Sequence, residues 1–235
     1  MKRRDFLKLS GILAAAGAVS SANSLLYAGK VDATSGNKYG MVIDLTKCDG
    51  CGECASACRT ANNVATFPDN EKINNYWLRI ARVKSKFPGS QEQAIPLMCM
   101  HCDNAPCVHV CPVKASFVRK DGIVLIDKHR CIGCRYCMIA CPYKARSFVF
   151  KHNEGFSNPE VPKTMHGVVE KCDFCVSRVD DGQMPVCVAT CKKGAMTFGN
   201  LNDSNAQVSK LISSGRVHRV REDLHLGAKV YYLGL

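Results

Sequence analysis

The spacing of cysteine constrains this chain more than any other feature. Sixteen cysteines fall into four groups of four, at positions 48-51-54-58, 99-102-107-111, 131-134-137-141 and 172-175-187-191, and none is left over. The third group reads Cys131-Ile-Gly-Cys134-Arg-Tyr-Cys137-Met-Ile-Ala-Cys141-Pro142, or C-x2-C-x2-C-x3-C-P. The second, Cys99-Met-His-Cys102-Asp-Asn-Ala-Pro-Cys107-Val-His-Val-Cys111-Pro112, is the same pattern with two extra residues between its second and third cysteines. A chain that must gather four thiols at four places has its loops dictated by those spacings. Strands and helices are left to hold the loops in position.

Three chemistries compete for such thiols. Disulfides suit an exported chain, but random bridge frameworks do not repeat C-x2-C four times. Zinc also takes paired C-x2-C, and four zinc sites would consume the same thiolates. A zinc site, however, has no use for a third cysteine at x2 followed by C-P. That run is the pattern by which thiolates hold a [4Fe–4S] cluster.

Charge bears on the same choice. The formal balance is +12, which in another chain would suggest nucleic acid. A cubane held by four thiolates carries about −2, so four clusters offset about 8 positive charges. Lys2, Arg3, Arg4 and Lys8 belong to an N-terminal leader. The remainder is close to neutral, and no binding to phosphate backbones is expected.

Taken in order, Lys2-Arg3-Arg4-Asp5-Phe6-Leu7-Lys8 and the mild apolar run Leu9 to Val19 match a twin-arginine export signal. Ser20-Ser21-Ala22 and Tyr27-Ala28 both offer cleavage sites, and a retained anchor is the other reading. The apolar run is short for a membrane span. Export in the folded state suits a protein whose clusters are inserted in the cytoplasm, so residues 1–28 are read as the signal and the destination as the periplasm or the outer face of the cytoplasmic membrane. Tyr39 to Asp44 reads as a buried strand leading into Cys48-Asp-Gly-Cys51-Gly-Glu-Cys54-Ala-Ser-Ala-Cys58, with a short helix from Ala55. Arg59 stands where the third group has proline. Residues 61–95 read as an insertion with one strand, Tyr76 to Val83, and a loop at Phe87-Pro-Gly; the lone Trp77 is expected to be buried packing. Asp121-Gly122 between apolar runs signals a hairpin over Ser116 to Ile126. Phe148 to Phe150 is expected to pair at a module's edge, and 152–170 to form a surface loop. Ala195 to Phe198 reads as a closing strand, Ala206 to Ile212 as a helix and Lys229 to Leu233 as a terminal strand, within a C-terminal extension over 201–235.

His101 and His109 sit inside a cysteine group. With four thiolates already assigned to each site they are expected at the surface or behind the ligands. Lys47, Arg59, Lys114, Arg130, Arg135 and Lys144 flank cysteines and either raise cluster potentials or are simply solvated. There is no Gly-rich phosphate loop, no nucleophile–base pair and no catalytic carboxylate pair, so no catalytic residue is assigned.

These features together resemble a known family: the four-cluster ferredoxin-type subunits of exported membrane-bound oxidoreductases, such as polysulfide, tetrathionate and dimethyl sulfoxide reductases and the system for formate-dependent nitrite reduction. More narrowly, Tyr39 to Asp44, His101 to Cys107, Asp121 to Ile126, Arg135 to Tyr143 and His166 to Cys172 are similar to the iron–sulfur subunit of the sulfite-reductase-associated transmembrane complex of sulfur metabolism. The resemblance implies an α+β fold of two ferredoxin-like dicluster modules, one nested inside the other. The inner module would span 96–151, and the halves of the outer one 29–60 and 171–200. It also implies four [4Fe–4S] clusters, with the fourth cysteine of each group lent to its partner. The ligand sets are then Cys48, Cys51, Cys54 and Cys191; Cys172, Cys175, Cys187 and Cys58; Cys99, Cys102, Cys107 and Cys141; and Cys131, Cys134, Cys137 and Cys111. Spacing alone does not force this, since Cys137 and Cys141 could face one metal. Cys134 stands where some relatives have tryptophan and a [3Fe–4S] cluster, so four cubanes are expected. The implied function is non-catalytic electron transfer in anaerobic sulfur respiration. The implied partners are a multi-span quinone-interacting membrane subunit and a second redox subunit, a multihaem cytochrome or a molybdenum enzyme. The neighbouring alternative is the beta chain of a polysulfide, tetrathionate or nitrite reductase. A zinc-stabilised interaction protein is the rival from another class.

Overall fold

Tyr39–Asp44 forms β1, and its interior residues Met41, Val42 and Ile43 are at most 1% exposed. A strand buried on both faces belongs inside a sheet, and β1 has a neighbour on each side. In the computed structural model, which describes residues 36–84, 91–152, 158–161 and 165–235, β8 (Met196–Asn200) pairs antiparallel with it and β10 (Val230–Leu233) pairs parallel. A short β9 (Val217–His218) completes the order β8-β1-β10-β9. Alternation sends Met41 and Ile43 into the main core, and Val42 to the other face against Val208 and Tyr231. Val208 lies on a helix, Gln207–Ser213, within one residue of its expected position.

Three two-stranded ribbons surround this sheet. β2 (Leu78–Lys84) and β3 (Glu92–Met98) pair antiparallel from Leu78↔Met98 to Lys84↔Glu92. Only the first of these strands is expected from the sequence. The second carries Pro96, which lacks a backbone donor and is tolerated because a two-stranded ribbon leaves each strand an open edge. β4 (Ser116–Val118) and β5 (Val124–Ile126) form the hairpin signalled by Asp121-Gly122. Its turn is longer than a two-residue connection. The Gly122 N–H donates to the Arg119 carbonyl, and Gly122 adopts φ +81. β6 (Ser147–Phe148) pairs with β7 (Val169–Glu170), so the Phe148 segment does form an edge ribbon.

A short helix departs from each cysteine group: α1 (Glu53–Ala61), α2 (Pro106–His109), α3 (Tyr136–Ala140), and the pair α4 (Val176–Asp180) and α5 (Val186–Thr190). The Gln207–Ser213 helix is α6. α1 packs on α5, and α2 packs on α3. The groups are thereby brought together first with fourth and second with third. Trp77 is buried packing, as expected, with the Lys128 ammonium 5.8 Å from its ring. No helix among the described residues is long and apolar enough to cross a membrane. The export signal, the Phe87 loop, most of the linker before Tyr39 and parts of 152–170 lie outside the described residues; the end of that expected surface loop is instead buried, since Val168, Val169 and Glu170 enter the core with β7.

Candidate iron–sulfur centres

Each cysteine loop bends through left-handed backbone, at Gly50, Gly52 and Gly133 without steric cost and at His101, Arg135, Phe174 and Cys175 against it. This turns successive thiols towards one point, while the following helix presents its cysteines on the inner face. Cys54 and Cys58, one helical turn apart on α1, are both buried, yet they face different neighbours.

Cys48, Cys51, Cys54 and Cys191 line a single cavity of about 160 Å³. Burial, and the nearby Cys191, Cys48 and Cys51, push the Cys54 thiol up to about 11. Cys58 lies instead with Cys172, Cys175 and Cys187. Burial raises it well above the usual thiol range, and Cys175 and Cys187 add to the rise. Cys172 is fully enclosed and feels Cys58, Cys187 and Cys175. Asn62 reaches into this set, its amide 3.7 Å from Cys58 Sγ and 3.6 Å from Cys175 Sγ. Cys102 is driven to about 12 by burial and by Cys99, Cys107 and Cys141. Cys111, Cys131, Cys134 and Cys137 share the lining of another enclosed cavity. Burial raises Cys137, against an opposing pull from Arg146, with Cys131 and Cys134 adding to the rise. Burial also acts upward on Cys111, but the N–H groups of Ser116, Ala115 and Val113 outweigh it and hold that thiol below its ordinary value.

All sixteen cysteines thus converge in four quartets. Among the described residues no three His, Cys, Asp or Glu side chains close around a point as a single metal ion requires. Each quartet is an all-cysteine donor set built on a C-x2-C loop, the ligand chemistry of iron–sulfur cubanes. The donor set therefore fits [4Fe–4S].

The side chains around the quartets differ from those the sequence singles out. Lys47, Arg59, Lys114, Arg130, Arg135 and Lys144 are all exposed; Arg135 lies over the Phe148 ring at 4.0 Å. The cation that reaches sulfur is Arg146, 5% exposed, whose Nη2 donates to Cys107 Sγ at 3.0 Å. Its position five residues after Cys141 is the only hint the sequence offers. His109 is exposed and bonded to Asn104. His101 is not at the surface: it is fully buried and stacks on Phe174 with ring centroids 3.7 Å apart. Its Nδ1 accepts the Val124 N–H at 3.0 Å. Burial, together with Lys171, Lys229 and Arg146, holds the imidazole well below its usual range, so it is neutral. His101 adjoins Cys102, and Phe174 stands between Cys172 and Cys175, so this stack bridges two quartets.

Two family models, each described as a 4Fe-4S dicluster domain, match residues 47–115 and 91–201. The chain is 42% identical to the Hdr-like menaquinol oxidoreductase iron-sulfur subunit 1 of Archaeoglobus fulgidus, over all of this chain and 98% of the relative. It is 34% identical to a tetrathionate reductase subunit of Salmonella typhimurium, over 99% of this chain and 88% of the relative. It is 37% identical to the menaquinone reductase iron-sulfur cluster-binding subunit of Nitratidesulfovibrio vulgaris, over 83% and 88% respectively. With dicluster models matched, an α+β architecture and sixteen cysteines gathered in quartets, the chain belongs to the family of [4Fe–4S] electron-transfer subunits of oxidoreductase complexes.

Proposed function

We propose that this chain is a non-catalytic relay with four [4Fe–4S] clusters in two dicluster modules, the second and third cysteine groups nested between the first and fourth. The observation that carries it is the use of all sixteen cysteines in four separate quartets, each drawing one member from a partner group. The ligand sets are Cys48, Cys51, Cys54 with Cys191; Cys172, Cys175, Cys187 with Cys58; Cys99, Cys102, Cys107 with Cys141; and Cys131, Cys134, Cys137 with Cys111. When bound, such clusters supply one-electron carriers spaced through the protein. The chain's own residues enclose them, aim N–H donors at their sulfurs and exclude water from the Cys102 and Cys58 quartets, whose members are all buried.

Relatives named for menaquinol oxidation and menaquinone reduction favour a quinone-interacting membrane subunit as one partner. A second redox subunit, a multihaem cytochrome or a molybdenum enzyme, is the other. Anaerobic sulfur respiration is the setting proposed, with the chain exported by the twin-arginine route. The similarity to the tetrathionate reductase relative supports the neighbouring reading, which keeps the relay and changes only the second partner. Anaerobically purified protein should contain about sixteen iron and sixteen sulfide per chain, with negligible zinc. A reproducible value near eight iron would show that one module is not a cluster site.

A further inference from the structure

Arg146 is the most deeply buried arginine to contact a cysteine. Nη2 donates to Cys107 Sγ at 3.0 Å and Nη1 to Ser116 Oγ at 2.8 Å. Ser116 in turn lines the cavity that Cys111, Cys131, Cys134 and Cys137 share. Cys107 belongs to the other inner quartet, so one side chain bonds a thiol of one quartet and a hydroxyl in the wall of the next. Among the described residues no carboxylate pairs with it. A buried guanidinium without a counter-ion is strongly unfavourable, because the water it gives up is replaced by nothing of opposite charge. Its position makes sense only where the sulfurs themselves bear negative charge. The exposed cations near the other cysteines are screened by water and salt and exert no comparable field.

Resting on the four-cluster reading above, we propose that Arg146 is the shared electrostatic partner of the two inner clusters and raises the reduction potential of both. Reduction adds one electron to a cluster whose thiolates are already negative, and a fixed cation with N–H donors at sulfur favours that reduced form. The low dielectric of the site strengthens the effect. Because the guanidinium faces both quartets, it also offsets the repulsion between electrons on neighbouring clusters. Arg146 is therefore a positioning and tuning residue for both.

The test is an EPR-monitored redox titration of the anaerobic holoprotein with dithionite and mediators. The inner signals are identified by their response to Cys102→Ser and Cys134→Ser. Arg146→Gln should disfavour reduction of both inner clusters tenfold or more, 59 mV per tenfold for one electron, and leave the outer two in place. Arg146→Lys keeps the charge but lacks the planar fork that bonds the Cys107 sulfur and the Ser116 hydroxyl together, so at least one inner potential should fall, by less. Unmoved inner potentials in a variant retaining sixteen iron overturn the proposal, and so does an equal shift of all four. If Arg146→Gln fails to load clusters, the Arg146→Lys result decides by the same criteria. Wild-type protein with only two clusters would remove the four-cluster reading and this proposal with it, which the iron content distinguishes from failure of the proposal alone.

Discussion

At Gly133 the backbone turns through φ +68, and a Cβ there would stand 2.3 Å from the Gly167 carbonyl oxygen. The left-handed conformation alone costs a non-glycine residue about 1–2 kcal/mol, and the clash is with backbone that cannot step aside. Gly133→Ala should therefore empty the Cys131 quartet: iron should fall by about four per chain, with one EPR signal lost and three kept. The crossed ligand sets are tested at the same scale. Cys141→Ser and Cys102→Ser should disturb one and the same EPR signal, while Cys134→Ser disturbs another. If Cys141→Ser instead shared its signal with Cys134→Ser and spared the Cys102 one, the crossing would be wrong. The cysteines were legible in sequence because metal chemistry fixes their spacing in the chain. Arg146 was not, and of His101 only a place at the surface or behind the ligands was. Both owe their role to burial, which neighbours distant in sequence create: Ser116 and Cys107 for the first, Phe174 for the second.

Among the elements, β1, β10 and α6 announce themselves through runs of apolar residues, and each lies within a residue or two of where those runs place it. β3 does not, because Pro96 and the polar start at Glu92 disguise it. The pairing of β10 beside β1 was equally hidden, since parallel neighbours far apart in sequence leave no local turn signal. Tyr232 ties these two surprises together. It is fully buried on β10, and its hydroxyl donates to the Pro96 carbonyl on β3 at 2.8 Å. Tyr232→Phe removes that donor and leaves a buried carbonyl short of a partner, at a cost of about 1 kcal/mol. The temperature at which the brown chromophore bleaches should drop by about 2–4 °C, while iron content at room temperature stays unchanged. An unshifted bleaching curve would mean that the hairpin is not anchored through this bond.

For the whole molecule, the formal +12 charge is largely offset by the proposed clusters and the leader, which leaves partner choice to local surface rather than to net field. The proposed relay role predicts that native protein extracted in mild detergent co-purifies with a multi-span integral protein; a monodisperse free monomer from native cells would favour a soluble ferredoxin instead. The proposed export route predicts that replacing Arg3 and Arg4 with lysine leaves folded, cluster-loaded protein in the cytoplasm, and normal delivery of that variant would refute it. Cys48, Cys51 and Cys54 share their cavity with Cys191, far along the chain. That contact sets a timetable for biosynthesis. On the proposed export route the leader would leave the ribosome first, while the two inner quartets are complete once Cys141 has been made and the outer quartets must wait for Cys191. A nascent chain would then display its proposed address well before it holds finished cargo. Delivery in working order by that route would require that the leader be kept from the export machinery until synthesis has passed Cys191 and the last quartet has closed.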